Sequence, residues 1–304
     1  MIVLNPDKEI IVVQSWDDIS RRPGFNGNLD PRAHELKSII GRYALRDYVP
    51  CGLADCHTPH GRGYIVVTKD GQETNIGKDC GQKYFGVDFE TLSSKFDRDL
   101  QEKENREKVF SFVFRIDEVF TRIRALRGGE RGADWAYKAG LPLASGSKDV
   151  PNTVVRRLAQ MVKTRSPVLE AAREATEQEV AQIERQTGRR IKERPHYVST
   201  PIATINGLEA LYPENNLRQL LVLDLEEPLK ELDAVDVASM SFADLKRWAR
   251  WVGEVDVKLE HAEAAVAHGR RLLVQSNLAP LIDALELSSE QVKQFKRYLK
   301  ALPA

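Results

Sequence analysis

All three cysteines of this 304-residue chain, Cys51, Cys56 and Cys80, fall in one stretch of thirty residues, beside His57 and His60 of its six histidines. A thiolate can act as a nucleophile or as a soft metal ligand, and an imidazole can serve either chemistry. The spacing favours coordination. A closed structural zinc site needs four protein ligands in a tetrahedron. Cys51 and Cys56 are separated by four residues including Gly52, so the backbone can wrap an ion, and Cys80 supplies a third thiolate. His60 is the expected fourth ligand, because the three residues between it and Cys56 let the chain turn back; His57 is the alternative. A Cys56–His57 nucleophile pair lacks an orienting third group, and the H-x-E with P-C-x-x-C pattern of the cytidine deaminases is absent. One structural Zn2+ held by Cys51, Cys56, His60 and Cys80 is therefore expected, and enzymatic activity is not.

The bulk composition sets the setting for such a site. Hydrophobic residues make up 42% of the chain and charged residues 30%, an ordinary globular balance. No apolar run approaches the roughly 18 residues that span a bilayer, and Met1 to Asp7 lacks the basic, apolar start of a secretory signal. No membrane association and a cytoplasmic location are expected, and in that reducing compartment thiols serve better as metal ligands than as disulfides.

Elements must bring these ligands together. "IVL" and "EIIVV" around Asn5-Pro6-Asp7 read as a strand pair, and Ser15 as the cap of a short helix. Ala33, Leu36, Ile39 and Ile40 fit a helix over 30–40 stopped by Gly41. "GYIVVTKDGQETNIG" is a β-hairpin signal turning at Lys69-Asp70-Gly71-Gln72, and Cys80 follows where "KDCGQKYF" opens a helical turn. A knuckle, a hairpin and then a ligand on a short helix resemble the treble-clef type of zinc finger over residues 48–87. That family takes two helix ligands spaced C-x-x-C, whereas here Lys83 stands three residues after Cys80. The resemblance therefore implies that a histidine completes the site.

Beyond Gly86 the pattern becomes helical. Phe89, Leu92, Phe96 and Leu100 recur at helical spacing, and Val109 to Leu126 continues it. "RGGERGADWAYKAGLPLASGSKD" reads as a glycine-rich loop, with helices over 152–165 and 167–186 after it. "ERPHYVSTPIATINGLEALYP" has strand or turn character and marks a boundary. Leu217 to Leu232 is helical with Pro228 at a start or kink, Ser241 opens one long segment to about Gln275, and Ser288 with Gln291 forms a capping box. The expected fold class is α+β: a zinc-stapled N-terminal α+β module over 1–87, a helical region over 88–195 and a C-terminal helical domain over 196–304, with long antiparallel helices.

Formal net charge is zero, which removes any whole-chain attraction to polyanions, but the charges are segregated. Residues 121–165 carry ten Lys/Arg against three Asp/Glu, and residues 196–236 two against eight. Arg122, Arg124, Arg127, Arg131, Lys138, Arg156, Arg157, Lys163 and Arg165, with Trp135 among them, suit phosphate contact with base stacking. The same block could instead pair with the acidic segment. "RGGERG" lacks the Gly-Lys-Ser/Thr ending of a phosphate-binding P-loop. Three functions follow, in this order: recognition of nucleic acid or a nucleic-acid-handling complex through the zinc module and this basic surface; a protein-binding adaptor or inhibitor, such as a phage or mobile element carries, acting through the helical half with a purely structural zinc; and last, an enzyme using an open zinc site.

Overall fold

The computed structural model describes residues 2–5 and 11–304. The protein is mixed α+β, with an N-terminal strand region and a larger, mostly helical part. By proximity the chain divides into two units, Met1–Phe110 with Val237–Ala249, and Ser111–Asp236 with Arg250–Ala304.

The first unit is built on an antiparallel sheet. Strands β1 (Ile2–Leu4), β2 (Ile11–Val13), β3 (Leu36–Pro50), β4 (Pro59–Thr68) and β5 (Glu73–Ile76) pair in the order β2-β1-β3-β4-β5. The expected strand pair is β1 with β2; Pro6 and Asp7 of its expected turn lie outside the described residues. Helix α1 (Trp16–Ser20) carries a capping box in which Ser15 and Asp18 each satisfy the other's backbone N–H. The helix expected over 30–40 is a correction. Leu36 to Ile40 begin β3, because β4 offers them hydrogen-bonded partners at Thr68, Val67 and Val66, and β1 takes up the other side from Gly41 onward. Gly41 does not stop a helix; it lets the sheet close, since a Cβ there would lie 2.5 Å from Leu4 Cδ2 and 2.9 Å from Val3 O. The β4–β5 hairpin forms as expected, pairing Val67 with Glu73 and Tyr64 with Ile76.

Alternation along the strands supplies two apolar faces. Val66 joins a core with Ile39, Leu53 and Ile76, while its neighbour Ile65 joins another with Ile2, Leu4, Ile19 and Tyr43. The first core is covered by α2 (Lys78–Val113), whose Phe89, Phe96 and Leu100 are buried there. Each such side chain contributes about 1.5–3 kcal/mol. Gly86 breaks α2 at φ 53°, and Phe89 beyond it stands over Gly81, where a Cβ would meet the ring at 2.4 Å.

The second unit holds α3 (Ile116–Arg127), α4 (Ala133–Ser145), α5 (Asn152–Thr164), β6 (Val168–Glu174), α6 (Glu177–Thr187), β7 (Tyr197–Thr204), a π-helical stretch over Gln219–Glu226 and α7 (Glu227–Asp233). Helices α8 (Phe242–Val252), α9 (Val255–Leu272), α10 (Gln275–Leu278), α11 (Pro280–Ala284) and α12 (Ser289–Lys300) complete the chain, with α8 beginning in the first unit. Three expectations are corrected here. The expected glycine-rich loop contains α4, because Ala133, Ala136 and Leu143 bury one helical face despite Gly140 and Pro142. The expected helix over 167–186 is strand β6 followed by α6, because β6 pairs along its length with β7, with one register shift between Leu169 and Glu170. The long segment after Ser241 is two helices, although along the apolar stripe expected over it Leu245, Trp248, Val255, Leu259, Ala262 and Val266 are buried and Val252 is half-buried. Pro228 lies in the first turn of α7, as expected. Having no N–H, it leaves the Asp224 carbonyl without a donor from that position, and the Trp251 indole donates to that carbonyl at 3.0 Å.

Candidate metal centre

Cys51 and Cys56 sit on the turn linking β3 to β4, and Cys80 on the first turn of α2. The turn is narrow because Gly52 permits it. A Cβ at Gly52 would lie 2.1 Å from Thr74 Oγ1 and 2.9 Å from Asn75 Oδ1. Its N–H donates to Asn75 O at 2.8 Å and its carbonyl accepts from Leu29 N–H at 2.8 Å. His57 takes φ 48°, the left-handed conformation that reverses the chain. The hairpin and the helix it feeds then carry Cys80 back over the knuckle.

The three Sγ atoms lie within 4.8 Å of one another, and Cys56 Sγ is 3.1 Å from Cys80 Sγ. A tetrahedral ion with metal–sulfur bonds of about 2.3 Å needs sulfurs roughly 3.8 Å apart. The thiols therefore reach ligand positions with side-chain shifts on the order of 1 Å, and the backbone can stay in place. Cys51 is fully buried and Cys56 and Cys80 partly so.

The ionisation of the three thiols is uneven. At Cys56 burial opposes the charge, but hydrogen bonds with the Thr58 side chain and backbone and with the other two thiols prevail and bring it to about 7. Burial, followed by the neighbouring Cys56, pushes Cys80 up to about 12, and burial raises Cys51 against a backbone hydrogen bond at Leu53. Three negative charges in so small a volume repel; a cation among them removes that cost.

Neither imidazole belongs to the group of ligand atoms within 4.8 Å of one another. His57 is engaged elsewhere: its Nδ1 lies 3.1 Å from Cys51 O and its Nε2 3.1 Å from Asn28 Oδ1, so it braces the knuckle. His60 differs. Its Nδ1 is 2.9 Å from Tyr43 Oη, which accepts from Asn75 Nδ2 at 3.2 Å, and Asn75 is anchored on Pro50 O at 2.9 Å. Its Nε2 is buried with no hydrogen-bond partner, and burial lowers its basicity. Gly77 lies against both this ring and Cys51: a Cβ there would come 3.4 Å from His60 Nε2, and its backbone bonds the Cys51 thiol. The bracing Asn75–Tyr43–His60 chain could not be found from spacing; alternation in β3 was its one faint signal.

Much of the basic block is engaged within the fold. Arg122 pairs with Glu263 and Asp256, Arg127 with Asp134 and Glu226, and Arg165 with Glu214. Arg157 donates to Glu170 O and Arg124 to Phe120 O. Trp135 lies on α4, half-buried. Two of these pairs, Arg127–Glu226 and Arg165–Glu214, join the basic block to the acidic segment. Arg131, Lys138, Lys148, Arg156 and Lys163 are the remainder of the block.

Among the described residues no helix is long and apolar enough to cross a membrane. Comparison of the chain with protein-family models, with curated proteins and with solved structures finds no match.

Proposed function

We propose that Cys51, Cys56 and Cys80, completed by His60, hold one zinc ion, and that the protein is a non-catalytic recognition protein of a reducing cytosol whose target is nucleic acid. The observation that carries the metal is the convergence of three thiols from a knuckle and a helix across a hairpin. The order of those elements supports a treble-clef-type module. His60 supports the fourth position: its Nε2 is buried and unpartnered, and Tyr43 at Nδ1 orients the ring as an outer partner orients a ligating imidazole. Bound zinc would contribute folding free energy by tying the knuckle to the first turn of α2.

Metal analysis of the purified chain tests this. One zinc per chain is expected, with loss on Cys80→Ser. In the cobalt-substituted protein, His60→Ala should alter the visible bands and His57→Ala should leave them unchanged. A chain without stoichiometric metal, or one that keeps it after all three cysteines are replaced by serine, overturns the proposal.

The ion pairs within the basic block favour a second reading, a protein-binding adaptor acting through the helical half with the zinc purely structural. A partner that co-purifies at high salt, with no oligonucleotide binding, decides for it.

A further inference from the structure

A different basic cluster lies in the segment joining α6 to β7. Residues 188–196 read Gly-Arg-Arg-Ile-Lys-Glu-Arg-Pro-His, four cations against one carboxylate. Arg189, Arg190, Lys192 and Arg194 are all exposed, and none of the four side chains takes an ion pair or hydrogen bond among the described residues. This contrasts with Arg122, Arg127 and Arg165, whose charge is met by carboxylates. Unpaired like charges held close together repel, and a polyanion relieves that repulsion by releasing its own counterions.

The segment is held in place. Gly188 ends α6 in the left-handed conformation, with its N–H on Glu184 O. The Ile191 N–H donates to Glu184 Oε1 at 2.7 Å, and Ile191 is half-buried, which leaves its neighbours Arg190 and Lys192 outward. At the far end Ala175 N–H donates to His196 O at 2.8 Å. Tyr197, the next residue, is 61% exposed. An exposed ring directly after four cations offers a stacking platform beside phosphate contacts.

We propose that residues 189–197 form a contact site for single-stranded nucleic acid, with Arg189, Arg190, Lys192 and Arg194 on the phosphates and Tyr197 stacking an unpaired base. This rests on the nucleic-acid reading above and places its contact outside both the metal centre and the 121–165 block. Three of the four cations are arginines, whose planar forks match phosphate oxygens in pairs. Stacking needs a base free of a duplex, which selects a single strand. The segment's one aliphatic side chain, Ile191, is half-buried, so beside the single ring of Tyr197 a membrane finds little there to bury.

Fluorescence anisotropy with labelled dT20 and U20, at 50 to 200 mM NaCl, tests the site on the full chain. With about −0.7 in logarithmic slope per phosphate contact, four contacts predict roughly a 50-fold loss of affinity across that range. The variant Arg189→Gln, Arg190→Gln, Lys192→Gln, Arg194→Gln should lose binding, with its circular dichroism and metal content unchanged. Tyr197→Ala should weaken binding about tenfold while keeping the salt slope. Binding that the quadruple variant retains overturns this site and leaves the nucleic-acid reading standing. No binding of either oligonucleotide by the wild-type chain overturns both. A preference for duplex, or retention only on phosphatidylserine vesicles, also overturns the site. Oligonucleotide binding lost with these residues in a chain free of zinc upholds the site and removes the metal.

Discussion

Gly52→Ala probes the geometry of the metal knuckle directly. The new methyl group would stand 2.1 Å from Thr74 Oγ1, where carbon–oxygen contact distance is about 3.4 Å, so something must move by more than 1 Å. Overpacking costs about 1–3 kcal/mol. Moving the turn also strains the Gly52 N–H bond to Asn75 O, about 1 kcal/mol more. The single variant should therefore lose about 2–4 kcal/mol. Thr74→Ala removes the obstructing hydroxyl and its bond to Gly52 O at 3.2 Å, together with a buried methyl group, for about 2 kcal/mol. The two changes share one clash, so the double variant should cost about 2 kcal/mol less than the sum. Urea denaturation of all four proteins at fixed zinc measures the cycle, with zinc content as a second readout. Strictly additive losses, or a Gly52→Ala protein as stable as wild type, would refute the claim that this glycine is required by the approach of Thr74.

Two further outcomes follow from other parts of the fold. The Glu226 carboxylate, hydrogen-bonded by Lys230 and facing Arg127, is held below the usual carboxylate range; a depressed folded value stabilises above the unfolded value and is lost as pH falls through the folded one. Glu226→Gln should therefore cost about 1 kcal/mol at neutral pH, with the two denaturation curves converging in acid; an equal gap at both pH values refutes the pairing. A Cβ at Gly140 of α4 would meet nothing within 4 Å, so Gly140→Ala should stabilise by about 0.5–1 kcal/mol in urea melts; a loss would show that the position needs glycine.

Where local signals were strong, the sequence could be read. The caps at Ser15 and Ser288, the hairpin over 64–76, the first turn carrying Cys80 and the buried stripe of α8 and α9 are all short-range patterns, and all are present. Where two patterns fit the same residues, local reading failed. Leu36, Ile39 and Ile40 suit a helix stripe or a strand buried on both faces, and partners in β4 decided for the strand, with Ile39 and Ile40 in different cores. Glu170 to Glu174 is made of good helix formers, yet pairing with Tyr197 to Pro201 makes it β6, because ladder bonds to a segment nearly thirty residues away outweigh propensities of a few tenths of a kcal/mol.

The candidate site divides along the same line. Residue type and spacing alone determined that three thiols belong together, because knuckle, hairpin turn and helix start are each encoded within a few neighbouring residues. Which histidine keeps an unpartnered ring nitrogen depended on tertiary structure. His57 and His60 are three residues apart and chemically identical, and only Asn28, Tyr43 and Gly77, brought in from other strands and loops, engage both nitrogens of one ring and leave a nitrogen of the other unsatisfied. The basic block shows the same division: its charge is plain in the sequence, but the carboxylates that neutralise part of it lie up to 141 residues away, and folding alone brings them into contact.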